Sequence, residues 1–448
     1  MNKPAILGGK PVFDKPFAPY LTLGKEELVA VQNVMEGGNL SGFIGAWCPE
    51  FHGGSKVKEL EHNWSDYFGV KHAIAVNSAT SGLYASIGAL GIEPGDEVIV
   101  TPTTMTATVT GIVLYQAIPI FADICPYTFC IDPREIEKKI TDKTRAIIGV
   151  DIYGETAEWD EINEIAKKHG IKVIEDAAQS FGGTYNGRKS GTLADIGVYS
   201  LNRHKHVHCG EGGICVTNDD ELAERIKLIR NHGEAVVGDK GTENIVNIIG
   251  FNYRMTEIEA AIAVEQLKKL DHYVDQRRNI CEIIIQSFSN VDGIVPPLDS
   301  PIQFPDQYKD CCRPVSTVTK HVYYYLCFTV DREKLGMSRK AFVRAMIEEG
   351  VPLGEGGYIP IYLQPMYQNK IAFGSKGYPF TADYYGKEIS YSKGLCPIAE
   401  KMWFEDLFYV QVQNYVPTIE QISRFTDAAD KVLKFKDEIN KYINEQRN

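Results

Sequence analysis

Residues 199–213 read YSLNRHKHVHCGEGG. An apolar run, IGVYSL (196–201), enters a loop that sets Lys205 among His204, His206 and His208, and a glycine-rich return feeds a second apolar run, GGICVTN (212–218). Three chemistries are open to such a loop: a metal site, a phosphate cradle, or a reactive amine held in a pocket. The histidines alternate with other residues and have no acid or thiol constellation beside them except Cys209, which sets metal ligation below the other readings. GEGG (210–213) reads as a tight turn into the next strand rather than as a phosphate loop. The lysine is then the feature to explain. The histidines are left as pocket-lining groups that could donate to a substrate hydroxyl or, if charged, lower the lysine pKa. Glu211 stays open between a structural and a substrate-facing role.

Working outward, the preceding run VIEDAAQS (173–180) delivers Asp176 and Gln179 just past its carboxyl end. Alone, such an acid reads as a helix cap or turn residue. The next runs bring Tyr199-Ser200 and then Lys205 to the same sheet edge, so an acid, a hydroxyl and an amine collect there. Earlier, AVNSATSGLYASIGALG (75–91) passes from strand to helix through Ser78, Ala79 and Thr80, which aims free helix-start N–H groups at a bound anion. By itself that is an ordinary capped helix. Together these groups are the inventory of a pyridoxal phosphate pocket: a lysine for the Schiff base, a carboxylate that keeps the pyridine nitrogen protonated, and hydroxyls with backbone N–H groups for the phosphate.

Short apolar runs recur on either side of these motifs. HAIAV (72–76), DEVIVT (96–101), IPIFAD (118–123), RAIIGVDI (145–152) and IKVIEDA (171–177) precede the two runs above, and all seven read as buried strands. AEWDEINEIAKKHG (157–170) and DDELAERIKLIRNHG (219–233) read as helices, and TEIEAAIAVEQLKKLD (256–271) opens on a Thr256/Glu259 capping box. The alternation predicts an α/β fold with a mostly parallel seven-stranded sheet covered by helices on both faces, and ligands at the carboxyl ends of its strands. From about residue 272 the pattern changes. HVYYYLCFTV (321–330) and DLFYVQV (406–412) read as strands of a smaller α+β unit, 292–320 as loop, and TIEQISRFTDAADKVLKFKDEI (418–439) as a terminal amphipathic helix. The expected division is a large domain over 23–271 and a smaller one over 272–448, with 1–22 packing nearby.

The 448 residues are 44% hydrophobic and 24% charged, with a formal net charge of −12. That is a globular composition, and its acidic balance argues against a broad nucleic-acid footprint while leaving room for a local basic pocket. The first residues, MNKPAILGGKPVFDKPFAPY, lack the continuous apolar segment of a signal peptide, and no apolar run reaches membrane-spanning length. A cytoplasmic location is therefore expected, with no membrane or nucleic-acid partner. The ten cysteines show no C-x-x-C spacing and only one close pair, Cys311-Cys312, so reduced and mostly buried thiols are expected.

In combination, NSATSGL (77–83), GDEVIVT (95–101), IEDAAQS (174–180), YSLNRHKHVHCGEGG (199–213) and GFNYRMTEIEAAIAVEQLKKLD (250–271) make the chain similar to the DegT/DnrJ/EryC1/StrS family of pyridoxal-phosphate sugar aminotransferases. The resemblance runs from LGKEELVAVQNVMEGGNLSG (23–42) to the last helix. It implies the fold-type-I aminotransferase architecture, with pyridoxal 5'-phosphate and its pyridoxamine form as cofactor. Position by position, it implies that Lys205 is the Schiff-base lysine and proton shuttle, that Asp176 pairs with the pyridine nitrogen, and that Gln179 sits beside the ring's 3-hydroxyl. Thr80, the backbone around Ala79, and Ser200 would hold the phosphate, next to Ser78 in the same loop. Asn252 would reach it from the partner subunit, with Arg254 beside it, which implies a homodimer with shared active sites. Three departures stand out. Met105 in TPTTMTAT (101–108) takes the place of an aromatic ring over the cofactor, which a thioether can still pack against. Ala79 takes the place of the usual glycine of the phosphate loop, a change that leaves the backbone donors intact if φ there is negative. Tyr362 in YIPIYLQPMY (358–367) takes the place of a histidine common in many members.

The implied reaction moves an amino group from L-glutamate or L-glutamine to the ketone of a keto-sugar, nucleotide-linked, or of a keto-cyclitol. AILGGKPVF (5–13) and the long C-terminal region resemble the inosose aminotransferases. A branch of the family with histidine in the lysine's place carries out 3-dehydration of sugars; Lys205, in register from both Ser200 and Gly210, favours transamination. A regulatory or scaffold protein on the same fold is the weaker alternative, because no basic helix-turn-helix pattern precedes residue 23 and both Lys205 and Asp176 are present.

Overall fold

The computed structural model describes residues 3–297, 311–314 and 316–446. The seven apolar runs become the strands of one sheet: β1 (His72–Val76), β2 (Glu97–Val100), β3 (Ile118–Phe121), β4 (Thr144–Val150), β5 (Lys172–Asp176), β6 (Ile196–Ser200) and β7 (Gly213–Thr217). They lie in the order β1-β7-β6-β5-β4-β2-β3. All neighbours run parallel except β7, which is antiparallel to both β1 and β6. Side chains alternate across a strand, so each run supplies two cores at once. In β1, Ala73 and Ala75 join Val57, Leu60 and Trp64 of α2 (Ser55–Phe68), whereas Ile74 and Val76 join Leu83 and Ile87 of α3 (Ala79–Ala89). Two covered faces explain why the strands carry continuous Val and Ile rather than an alternating pattern.

The helices end where their local chemistry says they should. α4 (Ala107–Leu114) follows β2, and α5 (Trp159–His169) precedes β5 and closes on Gly170 at φ 65, a left-handed conformation that glycine adopts without strain. α6 (Asp220–Arg230) is capped by Asp219, whose carboxylate accepts from the amides of Glu221 and Leu222. α7 (Glu257–Leu267) opens with the reciprocal pair: Glu259 N donates to Thr256 Oγ1 at 3.3 Å, and Thr256 N donates to Glu259 Oε2 at 3.0 Å. α8 (Leu270–Phe288) carries the chain away from the large sheet.

A second, antiparallel sheet follows, with β8 (Ile294–Val295), β9 (Leu326–Val330), β10 (Leu353–Glu355) and β11 (Leu407–Val410) in the order β8-β9-β11-β10. Its core joins Phe288, Phe328 and Phe408 to Phe342 of α9 (Arg339–Glu348) and Phe425 of α10 (Ile419–Lys434). Phe13 and Phe17 from the N-terminal segment enter the same core, and the amides of Ala5 and Val12 donate to the Glu349 carboxylate. Residues beyond β10 turn back: Tyr362, Tyr367 and Tyr391 pack in the core of the large sheet, and Tyr391 OH donates to Pro119 O at 3.0 Å.

Three local readings of the sequence change. HVYYYLCFTV is a strand only from Leu326; the tyrosines before it leave regular structure, with Tyr323 at φ 50. The terminal helix breaks at Phe435 into α10 and α11 (Lys436–Glu445). The 292–320 stretch, of which residues 298–310 and 315 lie outside the described residues, holds β8 and a two-residue strand, Thr319–Lys320, paired with Thr184 and Tyr185. Among the described residues, no helix is long and apolar enough to cross a membrane.

Candidate active site

Because β7 runs against its neighbours, its first residue lies at the edge where β1 and β6 end: Gly213 sits opposite both Val76 and Ser200. β5 ends nearby at Asp176. A Cβ on Gly213 would come within 2.5 Å of Ala79 N, so the absence of a side chain lets α3 start directly against the sheet. Ser78 caps that helix, its Oγ accepting from Ser81 N at 3.1 Å. The amides of Ala79 and Thr80 have no partner in helical geometry. Ala79 is the first residue of α3, so the change from glycine leaves the helix start regular.

Ser78, Ala79 and Thr80 line a cavity of about 200 Å³ together with Asp176, Gln179, Ser200 and Lys205. Lys205 is 6% exposed, and its amine lies 4.3 Å from the centroid of the Tyr324 ring. Burial lowers its pKa to about 8, against the opposing pull of the Asp176 charge. Asp176 Oδ2 accepts from Thr108 Oγ1 at 2.8 Å, and Oδ1 accepts from Ala178 N at 3.1 Å. Burial pushes this carboxyl upward, and those two donors and the Lys205 charge pull the other way. The Gln179 amide is held at both ends, Oε1 accepting from Tyr153 N at 2.9 Å and Nε2 donating to Tyr358 OH at 3.2 Å. Met105 is 56% exposed and contributes its thioether to the lining.

The loop around Lys205 separates the three histidines. His204 lines the cavity with its ring 5.9 Å from Tyr324, and burial takes its pKa down to about 4, so it is neutral near pH 7. His206 is buried, and its Nε2 is 2.8 Å from Val322 O. His208 Nδ1 accepts from Gly210 N at 3.3 Å. Among the described residues, no group of three or more His, Cys, Asp or Glu is arranged to hold a metal ion. Glu211 lines the cavity and accepts from Asn202 Nδ2 at 2.8 Å. Asn252 is exposed and outside the cavity of its own chain, its Oδ1 accepting from Arg254 Nε at 2.8 Å. Tyr362 is buried, donates to Glu400, and does not line the cavity; Tyr358 does.

Thr108, Asn202, Tyr324 and Tyr358 are lining groups that the sequence reading did not single out. A signal existed for two of them. TPTTMTAT offers five threonines just past a strand end, and YYY puts three adjacent hydroxyl-bearing rings in a segment assigned to a strand.

The groups fit pyridoxal phosphate: a buried amine titrating near neutrality, a buried carboxylate with two donors, and a helix start with two open amides share one cavity. A cavity at the carboxyl edge of a seven-stranded α/β sheet places the chain among the pyridoxal-phosphate-dependent aminotransferases. The chain belongs to the DegT/DnrJ/EryC1/StrS aminotransferase family, whose model matches residues 24–410. Among its relatives, GDP-perosamine synthase of Caulobacter vibrioides is 42% identical over 227 residues, 51% of this chain and 60% of that one. A putative L-glutamine:3-amino-2,3-dideoxy-scyllo-inosose aminotransferase of Micromonospora echinospora is 29% identical over 433 residues, 96% and 97% of the two chains. The aminotransferase from Psychrobacter cryohalolentis superposes with a TM-score of 0.75 at 27% identity, covering 94% of this chain and 100% of that one.

Proposed function

We propose that this enzyme transfers an amino group from L-glutamate or L-glutamine to the ketone of a nucleotide-linked sugar or a cyclitol. The observation that carries the reading is the buried Lys205 amine, sharing one cavity with Asp176 and the start of α3. Pyridoxal phosphate, when bound, supplies the electron sink that stabilises a carbanion beside the migrating amino group.

The chain's own residues do the rest. The amides of Ala79 and Thr80 and the Ser200 hydroxyl bind the phosphate, with the helix start adding a favourable dipole. Asp176, whose carboxylate accepts from Thr108 and Ala178, faces the pyridine nitrogen and holds a proton there. With the cofactor bound, Lys205 as a free amine would take a proton from the donor's α-carbon and deliver it to the cofactor carbon that had carried the aldehyde. A pKa of about 8 keeps a useful fraction of that amine neutral near pH 7, which a solvent-exposed lysine would not offer. Tyr324 packs its ring on the amine and shields it from water. We assign Asn252 and Arg254, which lie outside the cavity of their own chain, to the cavity of a second subunit.

Dehydration is the rival reaction on this fold. It is disfavoured by the lysine at position 205. The test is direct: the enzyme is incubated with pyridoxal phosphate, L-glutamine or L-glutamate, and either a nucleotide-linked 4-keto-6-deoxyhexose or scyllo-inosose. An amine product by mass spectrometry from one ketone supports the proposal and selects its substrate class. A deoxygenated sugar without nitrogen would contradict it.

A further inference from the structure

Away from this cavity, the turn after β3 and the chain entering β9 bring three cysteines together. Cys125 lies in the tight loop 124–131, closed by Cys125 N donating to Cys130 O at 2.9 Å and Phe129 N donating to Cys125 O at 2.9 Å. Its Sγ is 3.7 Å from Cys311 Sγ, which is van der Waals contact between sulfurs. Cys312 also donates to the Cys125 sulfur, through its thiol and its backbone amide, and the Thr128 amide does likewise. The Cys311 thiol first, then the Cys312 thiol and those amides, hold the Cys125 thiol well below the usual cysteine range against the effect of burial, while Cys311 is pushed up to about 12. Cys125 is buried, whereas Cys311 and Cys312 are half-buried. The next residue, Arg313, is locked in place by Glu155 at 3.2 Å and Glu158 at 2.5 Å, and the chain then runs to Tyr324 against Lys205.

We propose that Cys125, Cys311 and Cys312 form an oxidisable thiol site, in which a disulfide between Cys125 and Cys311 ties the segment leading to Tyr324 to the large sheet. The oxidant is a small hydroperoxide. The Cys125 thiolate attacks its oxygen, the O–O bond breaks, and a sulfenic acid forms as hydroxide leaves. The Cys311 sulfur then displaces that oxygen as a second hydroxide while losing its own proton, so two thiols are oxidised and hydrogen peroxide is reduced to two waters. Cys311, whose sulfur touches that of Cys125, is the bridge partner, and Cys312 is not.

The test uses the full-length enzyme loaded with pyridoxal phosphate. It is exposed to hydrogen peroxide, its thiols are blocked, and its peptides are mapped, alongside Cys311→Ser and Cys312→Ser. We expect two of the ten free thiols to be lost, a Cys125–Cys311 cross-linked peptide in the parent and in Cys312→Ser, and none in Cys311→Ser. The oxidised parent should melt at a higher temperature than the reduced one, the shift reversing with dithiothreitol and being absent from Cys311→Ser. Reduced Cys311→Ser should melt like the reduced parent, which separates a lost bridge from a lost fold. A vicinal Cys311–Cys312 bridge, a Cys125–Cys312 bridge, sulfinic acid without a cross-link, or ten free thiols after treatment would each overturn the proposal.

Discussion

Lys205 is the residue on which the chemistry turns. Replacing it by Ala should leave the chain folded while abolishing turnover and the visible absorption of lysine-bound cofactor; measurable transamination by Lys205→Ala would remove the proposed role. Its titration gives a second prediction. Burial disfavours the charged amine, so the folded chain binds fewer protons than the unfolded one from about pH 8 up to the ordinary lysine range, and the neutral fraction grows as pH climbs through about 8. Capture of pyridoxal phosphate by cofactor-free protein should therefore accelerate with pH and level off above about 8, followed by stopped-flow absorbance. A midpoint in the ordinary lysine range would mean that burial does not tune this amine. Thr108 sets the other end of the cavity. Thr108→Val keeps the shape but removes a donor to the Asp176 carboxylate, a bond of about 1.5–3 kcal/mol for a charged acceptor, so kcat should fall roughly ten- to a hundredfold with the melting curve little changed. An unchanged kcat would make that hydrogen bond merely structural.

At the scale of elements, the strand ends and one helix start make the site. Gly213→Ala places a methyl group 2.5 Å from Ala79 N, and backbone cannot yield as a flexible side chain does. Overpacking of this kind costs about 1–3 kcal/mol. The start of α3 should shift with it, weakening cofactor binding beyond the stability loss; equal affinity in Gly213→Ala, by equilibrium titration, would show that the start of α3 does not hold the phosphate. This scale also shows what a sequence can disclose. The seven strands were legible because burial on both faces forces unbroken Val and Ile, and Asp176, Ser200 and Lys205 because each lies at or just beyond the end of such a run. Thr108 and Tyr324 had only the weak signal of the threonine run and YYY, and Tyr358 none, since each reaches the cavity only through tertiary folding: Thr108 from a helix face, the tyrosines from segments more than a hundred residues downstream of Lys205. YYY was absorbed into a strand because tyrosine is itself a strand former. The break at Phe435 had no signal, for no Gly or Pro marks it.

At the scale of the molecule, the exposed apolar surface asks for a cover. Leu21 is 74% exposed, Leu28 69% and Met35 56%, all in or just before α1 (Lys25–Gly37), and Ile245 and Ile249 are exposed near Asn252 in sequence. We propose that a second copy of the chain covers them and supplies Asn252. Leu28→Glu should then shift the protein toward monomer in light scattering and lower its retention of cofactor; a monomeric parent would remove the basis for shared sites. The proposed domain division near residue 271 falls at the start of α8, yet residues 361–402 return to the large sheet, so the two units are tied by more than one crossing. Absorbance of the purified holoenzyme, recorded before and after L-glutamate or L-glutamine with no ketone present, tests the central claim most directly. The expected result is loss of the visible band of lysine-bound cofactor and stoichiometric pyridoxamine phosphate with one of the two donors. A visible band that never forms, or one that persists unchanged with both donors, would contradict it.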